Sequence, residues 1–93
     1  LGADIVKTYF TGSVETFKEV VDSCPIPVML SGGQLTDDPR DFLTVLKAVV
    51  DAGGRGCAVG RNLWQYKEPV KMLEAIKLIM HEKASVDQAL KAL

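Results

Sequence analysis

The chain has 93 residues and a formal net charge of -1, with 47% hydrophobic and 25% charged residues. This length allows one domain, and the charge balance argues against nucleic acid or an anionic membrane as a partner. No apolar run approaches the ~20 residues that span a bilayer. Neither Cys24 nor Cys57 has a second Cys or His at metal-ligand spacing, so we predict reduced thiols, no metal site and a cytoplasmic location.

Three short apolar runs, at residues 4–9, 27–31 and 56–60, predict β-strands. They are almost continuously apolar rather than alternating, which is typical of parallel strands that are covered on both faces. Helical patterns separate the runs, so the sequence predicts a parallel α/β fold. A glycine precedes the first strand, as after a helix end, although no helix is visible upstream. We therefore expect the chain, from Leu1, to begin inside a longer fold.

Capping residues and apolar periodicity predict the helices between these strands. The predicted ranges are 14–23, 39–53, 62–66, from 69 onward, and 86–93. Ser13 and Asp38 are the expected N-caps of the first two, and Ser85 with Gln88 predicts a capping box before the last. The long helix is expected to bury Val70, Leu73, Ile76, Ile79 and Met80.

The spacing of the predicted strands along the sequence favours a barrel. The strand starts near Asp4, Pro27 and Gly56 recur at a spacing close to the ~31 residues per unit of a complete eight-unit barrel of about 250 residues. Three consecutive units would have this length. A small open doubly wound sheet is the alternative fold.

Each predicted strand ends in polar residues or glycines, at Lys7-Thr8-Tyr9, Ser31-Gly32-Gly33 and Gly60-Arg61-Asn62. In parallel β/α folds these carboxyl ends share one rim, where functional residues gather. Glycine lets backbone N–H groups approach an anion, the short helix adds its positive end, and Arg61 adds a permanent charge. We therefore predict a phosphate cradle at the second and third ends, with simple turns as the alternative.

Lys7 is the odd residue in the apolar first strand. Alternation places it on the face shared with Ile5, which would be the barrel lumen if Val6 packs under the first helix. Partial desolvation and a nearby arginine would both lower the pKa of its amine, and a neutral amine can form a Schiff base with a carbonyl. The alternative is a strand-end lysine that extends into water.

Residues 3–12, 29–33 and 58–65 resemble, in order and spacing, the archaeal-type class I fructose-bisphosphate aldolases. The resemblance implies a (βα)8 TIM barrel, of which residues 1–93 would be the C-terminal part, about strands six to eight. It implies that Lys7 forms the Schiff base with dihydroxyacetone phosphate. The residues it implies for holding the substrate phosphate are Ser31, Gly32, Gly33, Gly60 and Arg61.

The resemblance also implies a function for the complete barrel. This is the cleavage or formation of fructose 1,6-bisphosphate in glycolysis or gluconeogenesis, with a phosphorylated sugar as substrate, no cofactor and a homo-oligomeric enzyme. The first five strands of that family, which carry its acid–base tyrosine, have no counterpart in these residues. We therefore expect the chain alone to be inactive.

Three alternatives stay open at this point. Aminodideoxyheptulosonate synthase and the autoinducer-2 phosphate thiolase share these motifs, and a non-catalytic phosphate-binding or assembly module is possible in principle. The family commonly continues the glycine pair with Pro-Lys-Thr, whereas this chain has Gln34-Leu35-Thr36. The missing loop lysine bears on the substrate, and Ser31 before the glycine pair favours the aldolase.

Overall fold

A computed structural model describes residues 2–33 and 35–93 of the chain. The elements in chain order are β1 (Val6–Thr8), α1 (Val14–Asp22), β2 (Val28–Ser31), α2 (Pro39–Asp51), β3 (Gly56–Ala58), α3 (Arg61–Trp64), α4 (Pro69–Glu82) and α5 (Val86–Leu90). The predictions that concern Leu1 and Gln34 lie outside the described residues. Within the described ranges, no helix is both long and apolar enough to cross a membrane.

The three strands form one parallel sheet in the order β1-β2-β3, as the apolar runs predicted. Val28 and Leu30 of β2 pair with Val6 and Thr8 of β1, and Leu30 also pairs with Cys57 of β3. Because side chains alternate along a strand, these residues share one face of the sheet. Val28 and Leu30 are fully buried there, so β2 is the centre of the core.

The helices cover that same face of the sheet. α2 packs between α1 and α4, and α5 packs against both α2 and α4. The buried core comprises Phe17, Val28, Leu30, Phe42, Leu43, Leu46, Val49, Ala52, Met72, Ala75, Ile76, Ile79 and Ala89. On the other face, Lys7 and Ala58 are exposed. A doubly wound sheet carries helices on both faces, whereas a barrel wall carries them on one, so this arrangement is that of a barrel wall.

The capping chemistry of the helices is as predicted. The Asp38 side chain accepts a 2.9 Å hydrogen bond from the Arg40 backbone N–H, and the Ser13 hydroxyl accepts one of 3.1 Å from Thr16 N–H. The capping box before α5 also forms, since Ser85 Oγ accepts from the N–H of Gln88 at 3.1 Å. These bonds satisfy N–H groups that have no partner inside a helix.

Several details differ from the sequence prediction. The helix α3 spans Arg61–Trp64 rather than 62–66, and α5 ends at Leu90 rather than at Leu93. The strands are shorter than the apolar runs, because β1 and β3 each pair only with β2 in the described structure. In α4, Val70 and Leu73 are 70% and 45% exposed rather than buried. Apolar residues occupy more than one face of this helix, so periodicity alone does not select the face that packs against α2 and α5.

The orientation of α4 can be tested by substitution. We expect Ile79→Ala to lower the free energy of unfolding by about 2–5 kcal/mol, because Ile79 is fully buried and its truncation leaves a cavity. Val70→Ala on the same helix is the matched control, with an expected change within about 0.5 kcal/mol. Urea unfolding of both variants measures the difference. If Val70→Ala lowers the free energy of unfolding as much as Ile79→Ala does, then Val70 is buried, as periodicity predicts.

Candidate functional site

The carboxyl ends of β2 and β3 meet at one rim of the sheet. Ser31 pairs with Ala58, and the next residue, Gly32, donates its N–H to the carbonyl oxygen of Ala58 at 3.0 Å. A Cβ atom on Gly32 would lie 3.0 Å from Val59 Cα, closer than side-chain carbons normally approach backbone. The loop after β2 therefore packs directly on the end of β3, and any side chain at position 32 would force the Val59 backbone to shift.

The two predicted halves of the cradle are brought together by this contact. Gly33 has φ +72°, a left-handed conformation that favours glycine, and Gly60 is the N-cap of α3. Arg61 follows at the first position of α3 and is exposed. Because α3 is a single turn, its dipole adds little. Flexible glycine backbone and the Arg61 guanidinium are therefore the features at this rim best suited to an anion.

Asn62 is placed in the Gly60-Arg61-Asn62 end of the third strand by the sequence analysis, which gives it no role of its own. It is 3% exposed and is the one buried polar side chain among the described residues. Its Oδ1 accepts a 3.0 Å hydrogen bond from Thr36 N–H, and its Nδ2 donates to the Gly32 carbonyl at 3.4 Å. The only signal in the sequence is an amide one position after Arg61, and its burial depends on a loop far away in the chain.

Lys7 lies at the centre of β1 and pairs with Met29. It faces the side of the sheet opposite to the helices, together with Ser31, as alternation predicted. Lys7 is exposed, so the expected desolvation of its amine is not present in this three-stranded sheet. The reason is that the described sheet has three strands, and no further strands lie across from this face in the described part of the chain.

Cys57 faces the helices and is half-buried. Burial raises the pKa of the Cys57 thiol, because the thiolate is poorly solvated there. Cys57 is therefore predominantly protonated near neutral pH. This agrees with the prediction of a reduced thiol near the core.

An open parallel sheet with helices on one face and a glycine-rich loop at the carboxyl ends of its strands is the arrangement of part of a (βα)8 barrel. Residues 1–66 match the family model described as DeoC/LacD family aldolase, and the chain belongs to this family. The barrel fold predicted from the sequence, with this chain as the C-terminal part, is confirmed.

Curated relatives support the same assignment. The chain is 42% identical over 93 residues to an uncharacterized aldolase of Saccharolobus solfataricus, covering 100% of this chain and 34% of that protein. It is 46% identical over 91 residues to fructose-bisphosphate aldolase class 1 of Halobacterium salinarum, covering 97% and 34%. The chain thus spans about a third of the length of the relatives it matches.

Solved structures match the fold closely. The crystal structure of an archaeal fructose 1,6-bisphosphate aldolase superposes with a TM-score of 0.84 and 38% identity, covering 87% of this chain and 32% of that one. An archaeal aldolase with its catalytic lysine covalently bound to the carbinolamine intermediate gives a TM-score of 0.82 at 38% identity, covering 85% and 32%.

The thiol chemistry gives a prediction that is independent of the rim. In a Cys24→Ser background, we expect Cys57 to react with iodoacetamide more slowly at pH 8 than a free cysteine peptide does. A raised pKa means that less thiolate is present at that pH, and the rate should rise only as the pH approaches the raised value. Mass spectrometry of timed samples measures this. A rate equal to that of the peptide would contradict the burial of Cys57.

Proposed function

We propose that this chain forms part of a class I aldolase that cleaves fructose 1,6-bisphosphate reversibly to dihydroxyacetone phosphate and glyceraldehyde 3-phosphate. The observation that carries the proposal is the position of Lys7. It is the one lysine in a strand of the described structure, on the face opposite to the helices, beside a strand whose end carries the anion loop. The relatives named as class 1 fructose-bisphosphate aldolases, and the solved aldolase with a lysine-bound intermediate, support it.

The proposed reaction begins with attack of the neutral Lys7 amine on the substrate ketone carbon. The resulting carbinolamine loses water to give an iminium ion, whose nitrogen accepts the electron pair released when the neighbouring carbon–carbon bond breaks. The aldehyde product leaves as its hydroxyl loses a proton, and an enamine remains on Lys7. Protonation of the enamine carbon and hydrolysis of the imine then release dihydroxyacetone phosphate and regenerate the amine.

The rim is proposed to anchor the substrate for this attack. Gly33 and Gly60 would offer backbone N–H groups to a phosphate, and Gly32, whose N–H is bonded to Ala58, would let the anion approach the backbone closely. Ser31 would add a hydroxyl, and Arg61 would add charge. Holding the phosphate there converts a bimolecular encounter with Lys7 into a positioned one. The proton transfers require an acid–base group, which we expect on the strands across the lumen from Lys7.

The choice among the three possible substrates depends on the residues at the same rim. The aldolase, the heptulosonate synthase and the thiolase would each use a Schiff-base lysine and a phosphate site. Ser31 at the end of β2 favours fructose 1,6-bisphosphate. A complete barrel that forms the Lys7 imine but does not cleave this sugar would point to one of the other two reactions.

The Schiff base can be tested in a complete barrel made by exchanging the matching third of the Halobacterium salinarum enzyme for residues 1–93, here called the grafted barrel. We expect borohydride to trap dihydroxyacetone phosphate on Lys7, located by peptide mass mapping, and Lys7→Ala to abolish both trapping and cleavage. Lys47→Ala, a helix lysine paired with Asp51, is the control that should trap normally. A stable adduct on another lysine would refute the assignment.

Arg61 is tested by its selectivity for phosphate. In the grafted barrel, Arg61→Ala should weaken binding of dihydroxyacetone phosphate by roughly 10- to 100-fold, the range for a lost charge-assisted hydrogen bond, and change binding of unphosphorylated dihydroxyacetone little. Arg40→Ala, which removes only an exposed ion pair with Asp87, is the matched control. If Arg61→Ala leaves the ratio of the two affinities unchanged, Arg61 does not bind the phosphate.

A further inference from the structure

The amide of Asn62 joins two chain segments that are distant in sequence. On one side it contacts Thr36, 26 positions away, and on the other it contacts the carbonyl of Gly32, 30 positions away. These two residues are the limits of the loop that carries Gly33. A single buried side chain in α3 is therefore bonded to both ends of the loop after β2.

Thr36 contacts the Asn62 amide mainly through its backbone N–H rather than its hydroxyl. The Thr36 hydroxyl also lies 3.3 Å from Asn62 Oδ1, but it is 3.0 Å from the carbonyl oxygen of Asp38. A hydroxyl has one hydrogen to donate, so the shorter contact to Asp38 takes precedence. The link between α3 and the loop thus includes Thr36 N–H to Oδ1, at 3.0 Å, and Nδ2 to the Gly32 carbonyl, at 3.4 Å.

The chemistry of the two partners selects asparagine. Thr36 N–H requires an acceptor, and the Gly32 carbonyl requires a donor, so one terminal group must provide both. Leucine has a similar size but would leave both backbone groups without these bonds. Aspartate would keep the acceptor, but its ionised form cannot donate to Gly32 and places a negative charge next to Arg61.

We propose that Asn62 is a positioning residue that holds the Gly32–Gly33 loop at a fixed distance from Arg61 and so sets the affinity of the rim for a phosphate monoester. The inference rests on the proposed function for its ligand. Two facts on the loop support it: Gly32 N–H is already bonded to Ala58 at 3.0 Å, and a Cβ on Gly32 would collide with Val59. The amide of Asn62 binds the carbonyl of Gly32, so both backbone polar groups of Gly32 are held. Arg61 precedes Asn62 in the chain and is therefore held close to the same loop.

The first test needs no catalysis. The 93-residue chain is titrated with inorganic phosphate while the amide resonances of Gly32, Gly33 and Gly60 are followed by nuclear magnetic resonance. We expect Asn62→Ala to weaken phosphate binding at least about tenfold, because the loop is no longer held against Arg61. Thr36→Val keeps the backbone donor and is the matched control, with binding expected within about twofold of wild type. Binding equally strong in Asn62→Ala and wild type would overturn the proposal.

A pH profile separates positioning from a structural role. In Asn62→Asp the introduced carboxyl, when protonated, can accept and donate as the amide does, whereas the ionised form cannot donate and repels phosphate. The affinity of this variant relative to wild type at the same pH should therefore be highest near pH 5 and fall as the pH rises. A ratio that does not change with pH would overturn the proposal, and this variant serves also if Asn62→Ala does not fold.

Kinetics in the grafted barrel complete the test. Asn62→Ala should raise KM for fructose 1,6-bisphosphate by about tenfold or more and leave kcat within about threefold, since Lys7 is not touched. A tenfold or larger fall in kcat with no change in KM would indicate a structural defect and overturn the assignment. If the proposed function is wrong but this inference is right, borohydride will not trap substrate on Lys7. The Asn62 variants will still bind phosphate more weakly than the wild type does.

Discussion

The parallel pairing of β2 with both of its neighbours is the constraint from which the other features follow. Val28 and Leu30 of β2 are buried under the helices, and this fixes which face of the sheet is the core. The same register sets Ser31 beside Ala58. Because the strands are parallel and in register, their carboxyl ends lie at one rim, and the loop after β2 meets the end of β3 there.

The rim and the lysine depend on different parts of the fold. The contacts that hold the anion loop, from Gly32 to Ala58 and from Asn62 to Thr36, lie entirely within this chain. Lys7 projects from the opposite face to the helices, where its surroundings are set by whatever lies across the lumen. The proposed phosphate binding would therefore be local to these three βα units, whereas the proposed imine chemistry would require a closed lumen that lowers the polarity around the amine.

The residues that the sequence analysis placed correctly carry strong local signals. Asp38 before Pro39, and Ser85 with Gln88, cap helices through bonds within a few residues, which depend little on the rest of the chain. The errors are of a different kind. Periodicity predicts Val70 and Leu73 in the core because they continue an apolar stripe, but the position of α2 decides which stripe of α4 is buried.

The sequence by itself determined the parallel α/β class, the helix caps and the set of rim residues, because each of these follows from short-range periodicity, capping or glycine geometry. Only the tertiary structure decided that helices cover one face of the sheet, that Lys7 is exposed on the other, and that Asn62 is buried between α3 and the loop after β2. The physical reason is distance along the chain. A hydrogen bond between Asn62 and Thr36 produces no sequence pattern in either segment. It forms only when the strands bring the two loops together.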